Sequence, residues 1–223
     1  FIEGIRARLE RATSLHVGVV TTDNHYGNGE GCTDIGDLVT RTRGLRSSDR
    51  ACGPYWGDTR YIDGLDPDLD ASFACAAQLG VTGDDNERAM RALLNALQPA
   101  RNAPDACNAG FLRPDSLLIV VLITDEDDAP ETECDPGEFG CTPSGSGGRV
   151  DDWMAELATV RPTWRDDMIV LSLIQRYPDS RCGAQQAARL VGFTLRFGDR
   201  GFIGDICDDD YGPFFESSLP VLD

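Results

Sequence analysis

An uninterrupted apolar run constrains the fold of this chain more than any other feature. Residues 116–124 read Ser-Leu-Leu-Ile-Val-Val-Leu-Ile-Thr. Because successive side chains of a strand point to opposite faces, this run is apolar on both faces, as in parallel sheets that helices cover on both sides. A second run of the same kind, Met-Ile-Val-Leu-Ser-Leu-Ile, occupies 168–174. The two runs predict the buried strands of a parallel sheet.

Helical patterns alternate with these strands. Apolar spacing predicts helices over 69–79, 84–98, about 150–159 and 184–191, with a further amphipathic helix at 1–10 and a strand at 15–21. This alternation predicts an α/β fold with a doubly wound, Rossmann-like, mostly parallel sheet and helices on both faces. We expect one domain over 1–223, with an irregular disulfide-containing insertion at about 27–68 and a loop insertion at about 129–149.

The charge balance excludes several classes of function. The chain has 38 acidic and 20 basic residues, and its net charge of −18 disfavours nucleic acid and anionic lipid as partners. Every basic residue is Arg, so lysine-dependent chemistry, including a Schiff base or a P-loop, is excluded. Asp exceeds Glu by 28 to 10, which fits a solvated acidic surface or hard-cation binding; composition alone favours the former. No apolar run reaches the roughly 20 residues of a membrane-spanning helix.

The cysteines predict an oxidising compartment. The sequence has eight, with no C-x-x-C pair and only two His, which is typical of disulfides rather than of zinc. We therefore expect an extracellular or cell-surface protein. Spacing leaves the connectivity open; pairing sequence neighbours gives Cys32–Cys52, Cys75–Cys107, Cys134–Cys141 and Cys182–Cys207, and only the tight Cys134–Cys141 loop rests on more than proximity.

Oxygen-bearing side chains follow the predicted strands, where ligands of open α/β sheets bind. Thr22 and Asp23 follow the first predicted strand, at 15–21. Thr124 to Asp128 lie at the end of the apolar run that begins at 116, which is predicted to be the central strand. Thr82 precedes a predicted helix and offers a further hydroxyl. Oxygen donors without His or thiolate select Mg²⁺, Ca²⁺ or Mn²⁺.

Other candidates have both structural and functional interpretations. One acidic cluster is expected to be either a Ca²⁺ site or a solvated loop, and it comprises Asp127, Asp128, Glu131 and Asp135. For the second cluster, the acids at 205 and 208–210, a solvated turn is the favoured interpretation. Tyr55 and Trp56, in an irregular segment, are candidate ligand contacts. The remaining candidates are expected to be packed residues: His16, Trp153 and Trp164.

Several segments resemble a von Willebrand factor A domain, and more narrowly the secreted bacterial, myxobacterial-type members of that family. The similarity runs nearly end to end. It is carried by 117–125, 79–83 and the helix at 87–97, and further by Val19–Asp23, Phe73–Gly80, Ala109–Arg113, Thr124–Asp128 and Ile206–Cys207.

The resemblance implies a metal ion-dependent adhesion site (MIDAS), in which a carboxylate of a protein ligand completes the coordination of Mg²⁺ or Ca²⁺. Asp125 matches the acidic residue after the central strand, and Thr82 is the candidate for the loop threonine; Asp127 and Asp128 are further candidate ligands. The family's Asp-x-Ser-x-Ser motif is absent, and the segment at 70–74, Asp-Ala-Ser-Phe-Ala, does not replace it.

The missing motif belongs to a strand that lies, in the family's sheet, between the two most apolar strands of this chain. Unpaired backbone groups there would be costly. We therefore expect an upstream segment or another chain to supply that strand; otherwise the adhesion site is defective and the domain structural.

These observations predict a metal-dependent protein-binding or adhesion domain and no enzyme. Catalytic motifs such as G-x-S-x-G, H-E-x-x-H and G-x-G-x-x-G are absent. The first alternative is a structural subunit of an extracellular filament or surface assembly whose neighbour donates the strand. The second is a hydrolase in which Asp125 and Asp127 position a metal-bound water.

Overall fold

The computed structural model describes residues 14–28, 31–128 and 144–218. These residues divide into two compact units, 14–115 and 116–218. The predicted helix at 1–10, the Cys134–Cys141 pair, Glu131 and Asp135 lie outside the described residues. A single domain over 1–223 stays a prediction.

The first unit contains short elements joined by long loops. Strand β1 (His16–Val17) pairs antiparallel with β2 (Ile62–Asp63), and the helices are α1 (Leu69–Ala77) and α2 (Ala89–Ala96), with a 3₁₀ turn at Tyr26–Asn28. His16 is packed as predicted, because its ring stacks on Tyr61 at 4.0 Å and its Nδ1 lies 2.9 Å from the carbonyl oxygen of Phe111.

The strand predicted over 15–21 is confirmed only at His16 and Val17. A Cβ at Gly18 would lie 2.6 Å from Leu38 and 2.9 Å from Phe111, so the backbone here packs directly on side chains. One backbone hydrogen bond continues the extended path, from the amide of Val39 to the carbonyl of Val19 at 2.8 Å. Side-chain packing therefore replaces sheet pairing after Val17.

Helix α2 is shorter than the 84–98 prediction because the acidic residues before it form a turn. The Asp84 carboxylate accepts a hydrogen bond from the amide of Asn86 at 3.2 Å, an Asx turn that competes with the first helical turn. Within the helix, Met90 and Leu94 are completely buried and form the core with Leu38 and Ile62.

Two disulfides close the first unit, Cys32–Cys107 and Cys52–Cys75. The expected pairs Cys32–Cys52 and Cys75–Cys107 are therefore wrong. The reason lies in Asn108, whose buried side chain accepts a hydrogen bond from the amide of Leu38 and donates one to the carbonyl of Gly36, both at 2.9 Å. These bonds hold residue 107 beside the segment that carries Cys32, whereas sequence proximity favoured Cys52.

The second unit is built on a parallel sheet, as predicted. Its strands run in the order β3 (Leu118–Ile123), β4 (Met168–Leu173) and β5 (Gly201–Gly204). The helices are α3 (Val150–Val160), α4 (Trp164–Asp167), α5 (Ala188–Leu195) and α6 (Gly212–Ser218), with a 3₁₀ turn at Gly198–Arg200. The sequence pattern did not predict α4, β5 or α6. The α/β class is confirmed, and the doubly wound arrangement stays a prediction.

Strand β4 is the centre of this sheet. All six of its residues are buried, whereas β3 buries only Val120 and leaves Ile123 60% exposed. Strands β3 and β4 pair directly from Leu118–Met168 to Ile123–Leu173. The expectation of a further strand between the two most apolar strands is therefore wrong, because their ladder leaves no space for one.

The remaining core predictions of this unit are confirmed. Trp153 and Trp164 are buried, and Cys182–Cys207 links the segments that follow β4 and β5. Within the ranges that the structure describes, no helix combines the length and the apolar character that crossing a bilayer requires.

We predict that the two disulfides of the first unit contribute unequally to stability. In the chain-entropy description, Cys32–Cys107 closes a loop of 75 residues and Cys52–Cys75 one of 23. Replacing both cysteines of the longer loop by Ser should lower the free energy of unfolding by about 4 kcal/mol, and of the shorter loop by about 3 kcal/mol. Urea unfolding measures both. Arginines separate all four cysteines, so a non-reduced digest cut after Arg reads the pairs directly; a peptide joining Cys32 to Cys52 would contradict this connectivity.

Candidate functional site

The carboxyl edge of the parallel sheet is the natural place for a ligand, because the loops after β3, β4 and β5 all leave the sheet there. These loops are joined by backbone hydrogen bonds. The carbonyl of Asp125 accepts from the amide of Gln185 at 2.7 Å, and the amide of Ile174 donates to the carbonyl of Gly204 at 3.1 Å. The edge is therefore a connected surface.

Asp127 fixes the beginning of α5. Its carboxylate accepts hydrogen bonds from the amides of Arg189 at 2.9 Å, Leu190 at 3.1 Å and Asp128 at 3.0 Å. Two of these amides lie in the first helical turn, where backbone N–H groups lack intrahelical partners and attract negative charge. Burial raises the pKa of Asp127 above its ordinary value, and these hydrogen bonds oppose the shift. The carboxylate is thus part of the scaffold.

Asp128 is completely buried and ties the loop to the segment before α3. Its carboxylate accepts from the amide of Ser146 at 2.8 Å and from the hydroxyl of Ser146 at 2.5 Å. Arg189 approaches the same carboxylate at 3.6 Å and donates to the carbonyl of Gly148 at 2.6 Å. The Arg189 guanidinium also lies over the Trp153 ring, 4.5 Å from its centroid.

Asp125 differs from both neighbours because its side chain is exposed. No hydrogen-bond donor within the described residues engages its carboxylate, while Thr124 bonds the backbone of Glu126 at 3.1 Å and shapes the turn. Asp125 is thus the acid of this loop that a ligand can reach without breaking the scaffold. Across the described ranges, no group of three or more His, Cys, Asp or Glu residues could hold a metal ion.

The other predicted oxygen ligands lie in the first unit, where two loops meet. The Asp23 carboxylate accepts a hydrogen bond from the amide of Asp84 at 2.8 Å, and the hydroxyl of Thr21 donates to the Asp23 carbonyl at 2.8 Å. Thr82 donates to the carbonyl of Arg43 at 3.5 Å. The loop containing Thr22 and Asp23 is therefore joined to the one that follows Thr82. Asp125 belongs to the second unit.

The two aromatic candidates, Tyr55 and Trp56, differ in their exposure to solvent. Trp56 is 57% exposed and remains available for contact. Tyr55 is buried and its hydroxyl donates to the carbonyl of Val39 at 2.9 Å, so it belongs to the interior. Burial raises the pKa of Tyr55 to about 12, while the nearby Arg60 acts in the opposite direction.

Sequence reasoning missed a pocket of about 150 Å³ at the ends of β4 and β5. It is lined by Arg176, Tyr177, Ile203, Gly204 and Asp205. Of the acids expected to form a solvated turn, Asp205 and Asp208 are both paired with Arg181, at 3.0 and 2.7 Å. The signal that could have found the pocket is the position of Arg176 and Tyr177, which follow the buried strand β4 after only two further residues.

Comparison with known proteins adds no relative: no family model matches the sequence, and neither a curated protein nor a solved structure matches the chain.

We predict that two acids of the loop after β3, Asp125 and Asp128, contribute differently to stability. Asp128→Asn removes the charge that pairs with Arg189 and disturbs the bonds to Ser146, so it should lower the free energy of unfolding by about 3 kcal/mol. The exposed Asp125→Asn should change it by less than about 0.5 kcal/mol. Urea unfolding measures both, and equal destabilisation would contradict the assignment of Asp128 to the scaffold.

Alkaline titration tests the burial of Tyr55. The folded phenol ionises near pH 12, whereas an unfolded one ionises near about pH 10. The raised pKa therefore contributes stability below pH 10 that is lost as the pH rises toward 12. Phenolate absorbance should show a late-titrating group that Tyr55→Phe removes. Loss of the same group in Tyr26→Phe, where the ring is exposed, would contradict the assignment.

Proposed function

We infer that this chain is an extracellular, disulfide-stabilised domain that binds a protein ligand at the carboxyl edge of its parallel sheet, with a divalent cation held through Asp125. The observation that carries the proposal is that the three aspartates after β3 differ in their contacts. Asp127 and Asp128 are engaged by backbone and buried side-chain partners, and they hold the exposed Asp125 at the end of an apolar strand.

The residues present fit a cation only in part. Asp125 supplies one carboxylate, and the acids at 127 and 128 would have to abandon their hydrogen bonds to act as ligands. Magnesium is commonly held by one or two carboxylates while it keeps several waters, so a single exposed aspartate is compatible with a weak site of that type. A bound cation would supply a positive charge that attracts a carboxylate of the protein ligand.

The hydrogen bonds that Asp127 already makes support a binding function better than a hydrolytic one. The hydrolase alternative needs Asp125 and Asp127 to share a metal-bound water, but the Asp127 carboxylate already accepts three backbone hydrogen bonds. The extracellular location is supported by three disulfides, which persist in oxidising compartments.

A structural subunit of an extracellular assembly remains the second candidate, and the edge of β3 favours it. Among the described residues, β3 pairs only with β4, and Leu117 and Ile123 are 40% and 60% exposed. An unpaired apolar edge is a template for strand addition by another chain. This candidate predicts polymers in light scattering of the purified protein without any cation.

The cation proposal is tested by thermal unfolding in chelator, in Mg²⁺ and in Ca²⁺. A cation that binds only the folded state raises the Tm by mass action, so the wild type should show a rise with one cation. Asp125→Asn should abolish it. Asp166→Asn is the matched control, since Asp166 is another exposed aspartate of the same unit. No rise with either cation, or an equal rise in Asp125→Asn, would contradict a cation site at Asp125.

A further inference from the structure

We propose that residues 41–51, here called the arginine loop, form a docking surface for an acidic segment of a partner protein. The loop lies in the first unit, and the proposal does not depend on a cation at Asp125.

The arginine loop reverses the sign of the protein locally. It carries Arg41, Arg43, Arg46 and Arg50, four of the 20 basic residues of a chain with net charge −18. All four are exposed. Within the part of the chain that the structure describes, none has a carboxylate within ion-pair distance; carboxylates elsewhere do pair with Arg101, Arg161 and Arg181. The Nε of Arg50 donates to the Sγ of Cys75 at 3.3 Å. The guanidinium groups of Arg41, Arg43 and Arg46, which have no side-chain partner among the described residues, thus face solvent in a strongly acidic protein.

Apolar side chains accompany these charges. Leu45 is 67% exposed and Val81 is 60% exposed. The amide of Val81 donates to the carbonyl of Leu45 at 3.0 Å, so the two residues lie on adjacent segments of the backbone. Arg is enriched in protein interfaces, and the buried core of an interface is more apolar than the rest of the protein surface.

The loop is held in one shape by the interior beneath it. Thr42 is completely buried, its amide donates to the carbonyl of Arg50 at 3.0 Å, and its hydroxyl lies 2.5 Å from that of Ser48. Ser48 donates to the carbonyl of Cys75 at 3.0 Å, and Cys52–Cys75 anchors the end of the loop. A fixed loop loses little conformational entropy on binding.

Two residues of the arginine loop have an energetically costly backbone conformation. Arg46 has φ of 65° and Asp49 has φ of 49°, in the left-handed region that L residues avoid. The side-chain amide of Gln78 donates to the carbonyl of Arg46 at 3.2 Å and supports this conformation. Such conformations persist where surrounding contacts enforce them and cluster at binding sites.

The chemistry of the loop fits a short acidic segment with an apolar side chain. Guanidinium groups bind carboxylates through paired N–H donors, and Leu45 and Val81 offer an apolar contact between them. A long polyanion would extend beyond the loop over an otherwise acidic surface, where repulsion acts within a Debye length of about 8 Å. A short segment avoids this repulsion.

Fluorescence anisotropy with a labelled peptide of Asp, Glu and Leu tests the proposal. Arg43→Gln/Arg46→Asn, in which Asn suits the left-handed position, should weaken binding at least about tenfold. Arg165→Gln/Arg200→Gln removes the same charge from the other unit and should change the Kd less than about twofold. Leu45→Ser should also weaken binding while every Arg remains.

Equal weakening in both double variants would overturn the proposal. Equal binding of a peptide in which Asn and Gln replace the acids, or unchanged binding in Leu45→Ser, would overturn it as well. Inorganic polyphosphate and phosphatidylserine vesicles are titrated in parallel. Tighter binding of either than of the peptide would assign the loop to phosphate groups and would equally overturn it. Circular dichroism melting confirms that each variant is folded.

Discussion

The buried carboxylate of Asp128 is the interaction on which the second unit depends. It gathers Ser146 and Arg189, and through Arg189 it reaches the Trp153 ring and the start of α5. A buried charge is tolerated only where donors surround it, so the loop after β3 has little freedom to take another path. Asp127 adds the cap of α5. What the edge of the sheet can present to a ligand follows from these two residues.

The strongly periodic parts of the sequence predicted the fold best. The runs at 118–123 and 168–173 are neighbouring parallel strands, and the run at 168–173 is buried along its whole length, as an apolar run without alternation predicts. The run at 118–123 has the same pattern but buries only Val120. Strand β5, with two Gly in four residues, has no such signature and is created by pairing with β4. Gly18 shows the opposite case, because it belongs to a β-rich segment but its backbone packs on the side chains of Leu38 and Phe111 instead of pairing in a sheet. Tertiary contacts decided both.

The location of the candidate site could be predicted from the sequence, but the separate roles of its residues could not. The carboxyl end of β3 follows from the strand pattern, but Asp125, Asp127 and Asp128 are the same residue type, and only their burial distinguishes them. Tyr55 and Trp56 show the same limit, since adjacent aromatics face inward and outward. Disulfide connectivity was equally hidden, because the position of Cys107 depends on the burial of Asn108. The metal, the ligand and the family resemblance stay predictions.

The nested disulfides of the first unit have a consequence for proteolytic processing. Cys32–Cys107 encloses the arginine loop, and that loop offers exposed cleavage points to any protease that cuts after arginine. A cut after Arg43 or Arg46 would leave Cys32 and Cys107 on different fragments, still covalently joined. The molecule would then become a two-chain protein of almost unchanged mass with new ends in the arginine loop. The two fragments would separate only after reduction of Cys32–Cys107.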